Sequence, residues 1–135
     1  MLDLKTLNQA IISLAPLHHA RGIAPSTFAD IMQAPGIVWE GASDQTIFQG
    51  AKVNHAFRAW HDARHISGQH DFTLAGERAT CEAQKRDVAL LYPSAPAWVY
   101  RLLDAEIVEQ GEYFVRMGAF PLDQVQFTME RLNHV

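Results

Sequence analysis

The sequence predicts an all-α fold, and three observations carry that expectation. Apolar residues recur at three- and four-residue spacing along most of the chain. No stretch of useful length alternates with period two. Ser, Thr, Gly and Pro stand where helices of ordinary length would begin and end. A chain of 135 residues is long enough to bury a real core as one domain, spanning 1–135. The expected architecture is a compact bundle of five to six helices.

Leu4, Leu7, Ile11 and Leu14 share one helical face and predict a helix over about 3–15, stopped by Pro16. His18, His19, Arg21 and Gly22 read as a loop. Ser26 is placed to cap a short helix over 26–33, between Pro25 and Pro35. The segment Gly36-Ile37-Val38-Trp39 is either a strand-like bend or an extended connector. Ser43 or Asp44 can cap a helix over 45–67 that ends at Gly68. Thr73 then caps a helix over 74–91, closed by Tyr92-Pro93. The short turn between them makes 45–67 and 74–91 an antiparallel hairpin. Ser94 and Pro96 start a further helix to about Gln110, which resumes after Gly111 through Met117. Pro121 opens the last helix, to about Leu132.

Composition narrows the function classes. Hydrophobic residues make up 48% and charged residues 19%, which excludes a disordered chain. The formal net charge is −4 and no basic stripe is present, which argues against a nucleic acid partner. No apolar run approaches the roughly 20 residues that span a bilayer. The start, with Asp3 and Lys5, does not read as a signal peptide. With one cysteine, Cys81, no intramolecular disulfide can form. A cytoplasmic protein with a small-molecule substrate is expected, and a homo-oligomer is compatible with all of this.

The chemistry concentrates in helix 45–67. Asn54, His55, Arg58, His61, Asp62 and His65 fall within an arc of roughly 120°, and the opposite arc holds Val53, Ala56, Phe57, Ala59, Trp60, Ala63 and Ile66. His61 and His65, at i and i+4, lie one above the other, the spacing by which one helix gives two nitrogen ligands to one ion. A merely solvated face would draw on Lys and Glu, and positions 53–67 contain neither. In the next helix Glu77 heads a stripe of Cys81, Gln84, Val88 and Leu91, so its carboxylate points toward the core. A buried carboxylate must be paired, protonated or bound to a cation. The hairpin turn lets Glu77 meet His65. The plainer alternatives for Glu77 are a favourable place in the helix macrodipole or a salt bridge to Arg58.

The pattern His61-Asp62-x-x-His65-x11-Glu77 resembles the metal-site signature of the ubiquinone-biosynthesis family known as the fourth coenzyme Q component. The likeness is confined to 61–77. It implies a divalent metal held by His61, Asp62, His65 and Glu77. Members of that family are helical, are associated with removing the C1 carboxyl group from the quinone precursor ring, and are credited with organising the biosynthetic complex.

Two nitrogens with one or two carboxylate oxygens suit Zn²⁺, Fe²⁺ or Mn²⁺ better than Ca²⁺ and leave coordination positions open. Asp62 is either a ligand or a group that orients a ligand imidazole. Arg58 is a candidate clamp for a substrate anion, or the salt-bridge partner of Asp62. Glu106, on the apolar side of its helix, is a candidate further ligand or general base, with an ion pair to arginine as the plainer alternative. Cys81 is within reach of the metal or is a small buried hydrophobe. His18, His19 and His70 read as surface residues; Trp39, Trp60 and Trp98 as core or pocket walls. The favoured function is a metal-dependent enzyme of lyase or hydrolase type acting on a small anionic or aromatic molecule. The alternatives are an HD-domain-like phosphohydrolase, with His18 or His19 and Asp87 or Asp104 completing its site, and a protein with a purely structural metal.

Overall fold

A computed structural model describes residues 3–14, 19–21, 27–35, 37–39, 46–48 and 50–133. Among them the chain forms six helical rods and one short ladder. They are α1 (Leu4–Leu14), β1 (His19–Arg21), α2 (Phe28–Gln33), β2 (Ile37–Trp39), α3 (Gly50–Gly68), α4 (Leu74–Leu91), α5 (97–117) and α6 (Gln124–Leu132). The all-α expectation holds. The ladder is the exception: β1 and β2 pair in parallel, His19 opposite Ile37 and Arg21 opposite Trp39. Strands of three residues are too short for alternation to register, which is why His19–Arg21 reads as loop from sequence.

Local chemistry explains most boundaries. Thr27, not Ser26, caps α2, in a reciprocal box with Asp30. Ser26, Ser43 and Asp44 lie outside the described residues. Helix α3 begins five residues later than expected, at Gly50. Its φ of +83° is a left-handed conformation that ends any helical path arriving from upstream. Thr73 caps α4 as expected, its hydroxyl accepting from the Gly76 amide at 3.1 Å. Helix α5 is not interrupted at Gly111. Its irregularity lies earlier, where Asp104–Glu109 widen into a π-helical segment. The last helix starts at Gln124 rather than Pro121, because the Asp123 side chain caps it by accepting from the Gln126 amide.

Helix α3 ends one residue beyond expectation, in a paired-bond cap. The Gln69 amide donates to Ile66 and the His70 amide to His65 at 2.9 Å, with Gln69 in the left-handed region at φ 53°. At Gly68 a Cβ would lie 2.3 Å from the His70 ring, which would have to turn aside. Gly76 is the tighter position, since a Cβ there would meet the Asp71 backbone carbonyl at 2.1 Å. The turn therefore lies close to the start of α4.

The core is built from α1, α3, α4 and α5. Leu7, Ile11, Phe57, Trp60, Val88, Val99 and Leu102 belong to one buried cluster, and Trp98 packs against its edge. Of the walls expected from the sequence, Trp60 is buried, while the Trp39 side chain lies outside the described residues. Antiparallel α3 and α4 are clamped together by Asp87. Its carboxylate accepts from Trp60 Nε1 at 2.8 Å and from Arg64 Nε and a terminal guanidinium nitrogen at 2.6 and 2.9 Å. Arg64 is more than a third exposed, so screening leaves that ion pair little weight. The buried indole N–H carries more, since it has to be satisfied inside the core.

Removing Asp87 should therefore cost stability mainly by orphaning the Trp60 indole. We expect Asp87→Ala to lower the unfolding free energy by about 1–3 kcal/mol. Urea denaturation checks this, and a change near zero would mean that the clamp is incidental.

Candidate metal centre

The site lies beside the Asp87 clamp on α3, where His61 and His65 each follow a clamp residue, Trp60 and Arg64. His61 and His65 lie one turn apart on α3, with ring centroids 4.6 Å apart and planes nearly perpendicular. Glu77, at the end of the first turn of α4, turns its Oε2 to both rings. That oxygen is 3.0 Å from His61 Nε2 and 3.2 Å from His65 Nε2, and the two Nε2 atoms are 3.1 Å apart. Three donor atoms thus form a nearly equilateral triangle. A tetrahedral ion with bonds of about 2.0–2.1 Å would hold its ligands about 3.3 Å apart, so the triangle is close to the size a Zn²⁺-like ion requires. Among the described residues, these three form the group of His, Cys and acidic side chains able to share a metal.

The far side of each ring fixes which nitrogen faces the triangle. His61 Nδ1 is 2.7 Å from Gln84 Oε1, and His65 Nδ1 is 2.8 Å from the His70 carbonyl. An oxygen of either kind can only accept, so each Nδ1 donates to it. A ring that is neutral then presents its Nε2 lone pair inward, and one that is protonated donates from Nε2 to Glu77. The cap that ends α3 supplies the second of these acceptors: by folding residue 70 back onto residue 65, it delivers a backbone oxygen to the His65 imidazole. Phe57 stacks over His61 with centroids 6.3 Å apart, and Phe72 meets His65 edge-on at 5.0 Å. The two aromatic rings wall the pair of imidazoles on either side.

Electrostatics reinforce the geometry. Burial pushes the Glu77 carboxyl up, but hydrogen bonds and charge from His61 and His65 outweigh it and hold the pKa down to about 2. Burial disfavours the His61 imidazolium, yet Glu77, with help from Asp62 and Gln84, raises its pKa overall. Both directions favour a carboxylate on Glu77 beside a protonated His61 imidazole. That arrangement relieves two lone pairs facing each other at 3.1 Å. A divalent cation relieves them more completely.

The remaining expected residues are placed as follows. Asp62 lies outside the triangle but close enough for its charge to favour protonated His61 and charged Arg58. Arg58 is half-buried; burial lowers its pKa and Asp62 counters. Cys81 turns away from the site: its Sγ is 3.7 Å from Asp104, and burial pushes the thiol up to about 12. It is a buried small side chain rather than a thiolate ligand. His70 contributes its carbonyl and not its imidazole. Asp87 holds Trp60 and Arg64, while Asp104 pairs with Lys85 at 2.7 Å. His18, and the side chain of His19, lie outside the described residues. The residue that sequence reasoning misses is Gln84. Its signal is a polar side chain in the otherwise apolar stripe that Glu77 heads.

Glu106 is engaged elsewhere. It lies in the π-helical segment and accepts from Thr128 of α6 at 2.5 Å and from Gln110 at 3.1 Å. Burial drives its carboxyl up to about 7, against the lowering effect of those two donors. It ties α5 to α6.

No family model matches the chain, and no curated protein or solved structure matches it either. Among the described residues, no helix is long and apolar enough to cross a membrane.

The Glu106 shift has a defined pH consequence. Its folded pKa lies above the ordinary 4.5, so the fold favours the protonated carboxyl. That contribution is complete below about pH 4.5 and is lost as pH rises through about 7. Glu106→Gln, which mimics the neutral form, should lack this slope and gain roughly 2–3 kcal/mol relative to wild type between pH 5 and pH 8. Denaturant midpoints at the two pH values measure it; parallel pH profiles for the two proteins would refute the assignment.

Proposed function

We propose that this chain is a divalent-metal-binding protein whose centre is His61, His65 and Glu77, and that it is a metal-dependent enzyme acting on a small anionic or aromatic molecule. The observation that carries the metal reading is the triangle of Nε2, Nε2 and Oε2 at 3.0–3.2 Å, with both Nδ1 atoms already committed to oxygen acceptors. The donor set favours Zn²⁺, Fe²⁺ or Mn²⁺.

A catalytic role draws support from two features. Three protein donors leave at least one position vacant, as catalytic centres require. His65 is fully buried, but the side chains of His61 and Glu77 are 19% and 20% exposed, so the triangle has one side toward solvent. When bound, the ion would supply Lewis acidity and lower the pKa of a water ligand. Arg58 and Asp62, on the same helix face, are the groups proposed to orient an anionic substrate and to tune His61. The likeness of His61-Asp62-x-x-His65-x11-Glu77 to the fourth coenzyme Q component suggests lyase chemistry on an aromatic carboxylate as the first activity to try.

A purely structural ion fits less well. The Asp87 clamp and the α3 cap already fix the hairpin, so a metal is not needed to staple it. An HD-type phosphohydrolase would leave His65 and Glu77 without a role, and its nominated acids, Asp87 and Asp104, are committed to other partners.

Elemental analysis of purified protein should find close to one equivalent of a transition metal, lost in both His61→Ala and Glu77→Ala. Chelation should move the thermal midpoint of the wild type by only a few degrees. Equal metal content in all three proteins would remove the proposed centre.

A further inference from the structure

We infer that Gln84 is a positioning residue of the metal centre, retained to hold His61 in its metal-binding tautomer and orientation at a cost in stability. The inference rests on the metal reading above and concerns the residue on which His61 depends.

Gln84 is fully buried, in the stripe between Cys81 and Val88. Its Oε1 meets His61 Nδ1 at 2.7 Å, while its Nε2 is buried with no hydrogen-bond partner among the described residues. A side chain used only for packing would satisfy both ends or would be apolar, because a buried orphan donor destabilises the fold. Leu or Met would fill the same space without that penalty. What neither can do is accept the His61 Nδ1 proton.

The two imidazoles differ in how they are held. His65 is fixed by a backbone oxygen, which no substitution of a side chain can remove, and is enclosed completely. His61 is partly exposed and lies flat against Phe57, a contact that leaves its two tautomers equivalent. Its nitrogens are distinguished by Gln84 at Nδ1 and by Glu77 at Nε2. The Glu77 carboxylate by itself favours a proton on Nε2, which the Gln84 acceptor counters by drawing the proton to Nδ1. Without that acceptor the ring would also populate the form with the proton on Nε2, the atom that must bind the ion. The acceptor is a neutral amide rather than a carboxylate, so it sets orientation without adding a negative charge to the centre.

Opposite effects on two measurable quantities follow, which a packing role cannot produce. Wild type, Gln84→Met and Gln84→Glu are stripped of metal, and Zn²⁺ affinity is measured by competition with a chromophoric chelator beside the thermal midpoint of each metal-free protein. Gln84→Met should bind Zn²⁺ 10- to 100-fold more weakly, with an unchanged or higher metal-free midpoint. Gln84→Glu, which keeps an acceptor, should bind within a few-fold of wild type or more tightly. Undiminished affinity in Gln84→Met would overturn the role of Gln84 and leave the metal centre standing. Weaker binding in both variants together with lowered metal-free midpoints would show Gln84 to be structural. If wild type itself takes up no Zn²⁺, both the centre and this role for Gln84 are wrong.

Discussion

Three atoms that all prefer to accept a hydrogen bond point at one place: two imidazole nitrogens and a carboxylate oxygen, none more than 3.2 Å from another. Such an arrangement is unfavourable unless something positive occupies the middle. A proton would do so partly, the direction in which the Glu77 and His61 pKa values are displaced. A divalent ion, as proposed, would do so more fully. The rest of the hairpin can be understood as what holds these atoms together against their repulsion.

That holding is distributed along α3 and α4. Asp87 ties Trp60 and Arg64 across the helix pair, beside the two histidines, and fixes its register. At the end of α3, the cap at 65–70 reverses the chain and supplies an oxygen to His65, and Gly76 lets the turn lie close to α4. Thr73 then starts α4 so that Glu77 falls one turn in, level with His65. The helices need only ordinary packing in between. The precision comes from groups that would otherwise look unrelated to a site.

Much of the centre is legible in the amino-acid sequence. The i, i+4 histidines follow from helix periodicity alone, and Glu77 stands out as a carboxylate on an apolar stripe. Asp62 shows the limit of such reasoning. A residue adjacent to a ligand on a helix lies about 100° round the axis, and only the packing of neighbouring helices decides whether it reaches the same point. Gln84 is visible as a polar interruption, but its partner is not, because the register between α3 and α4 depends on the Asp87 clamp and the turn. The left-handed Gln69, the π-helical segment at Asp104–Glu109 and the pairing of His19–Arg21 with Ile37–Trp39 also escape a reading by periodicity. Each is a local departure imposed by tertiary contacts, and none leaves a period in the sequence. Glu106 is instructive too. Helical spacing places it on an apolar face, where it is indeed buried, but its partners are Thr128 and Gln110, the one distant in sequence and the other set by a widened helical turn.

The central claim concerns which atoms face the ion, and X-ray absorption fine structure of the Zn²⁺-loaded protein addresses that directly. The account predicts a shell of nitrogen and oxygen at about 2.0–2.1 Å, with outer-ring scattering from two imidazoles and no sulfur. A shell without imidazole scattering, or one containing a thiolate from Cys81, would contradict it.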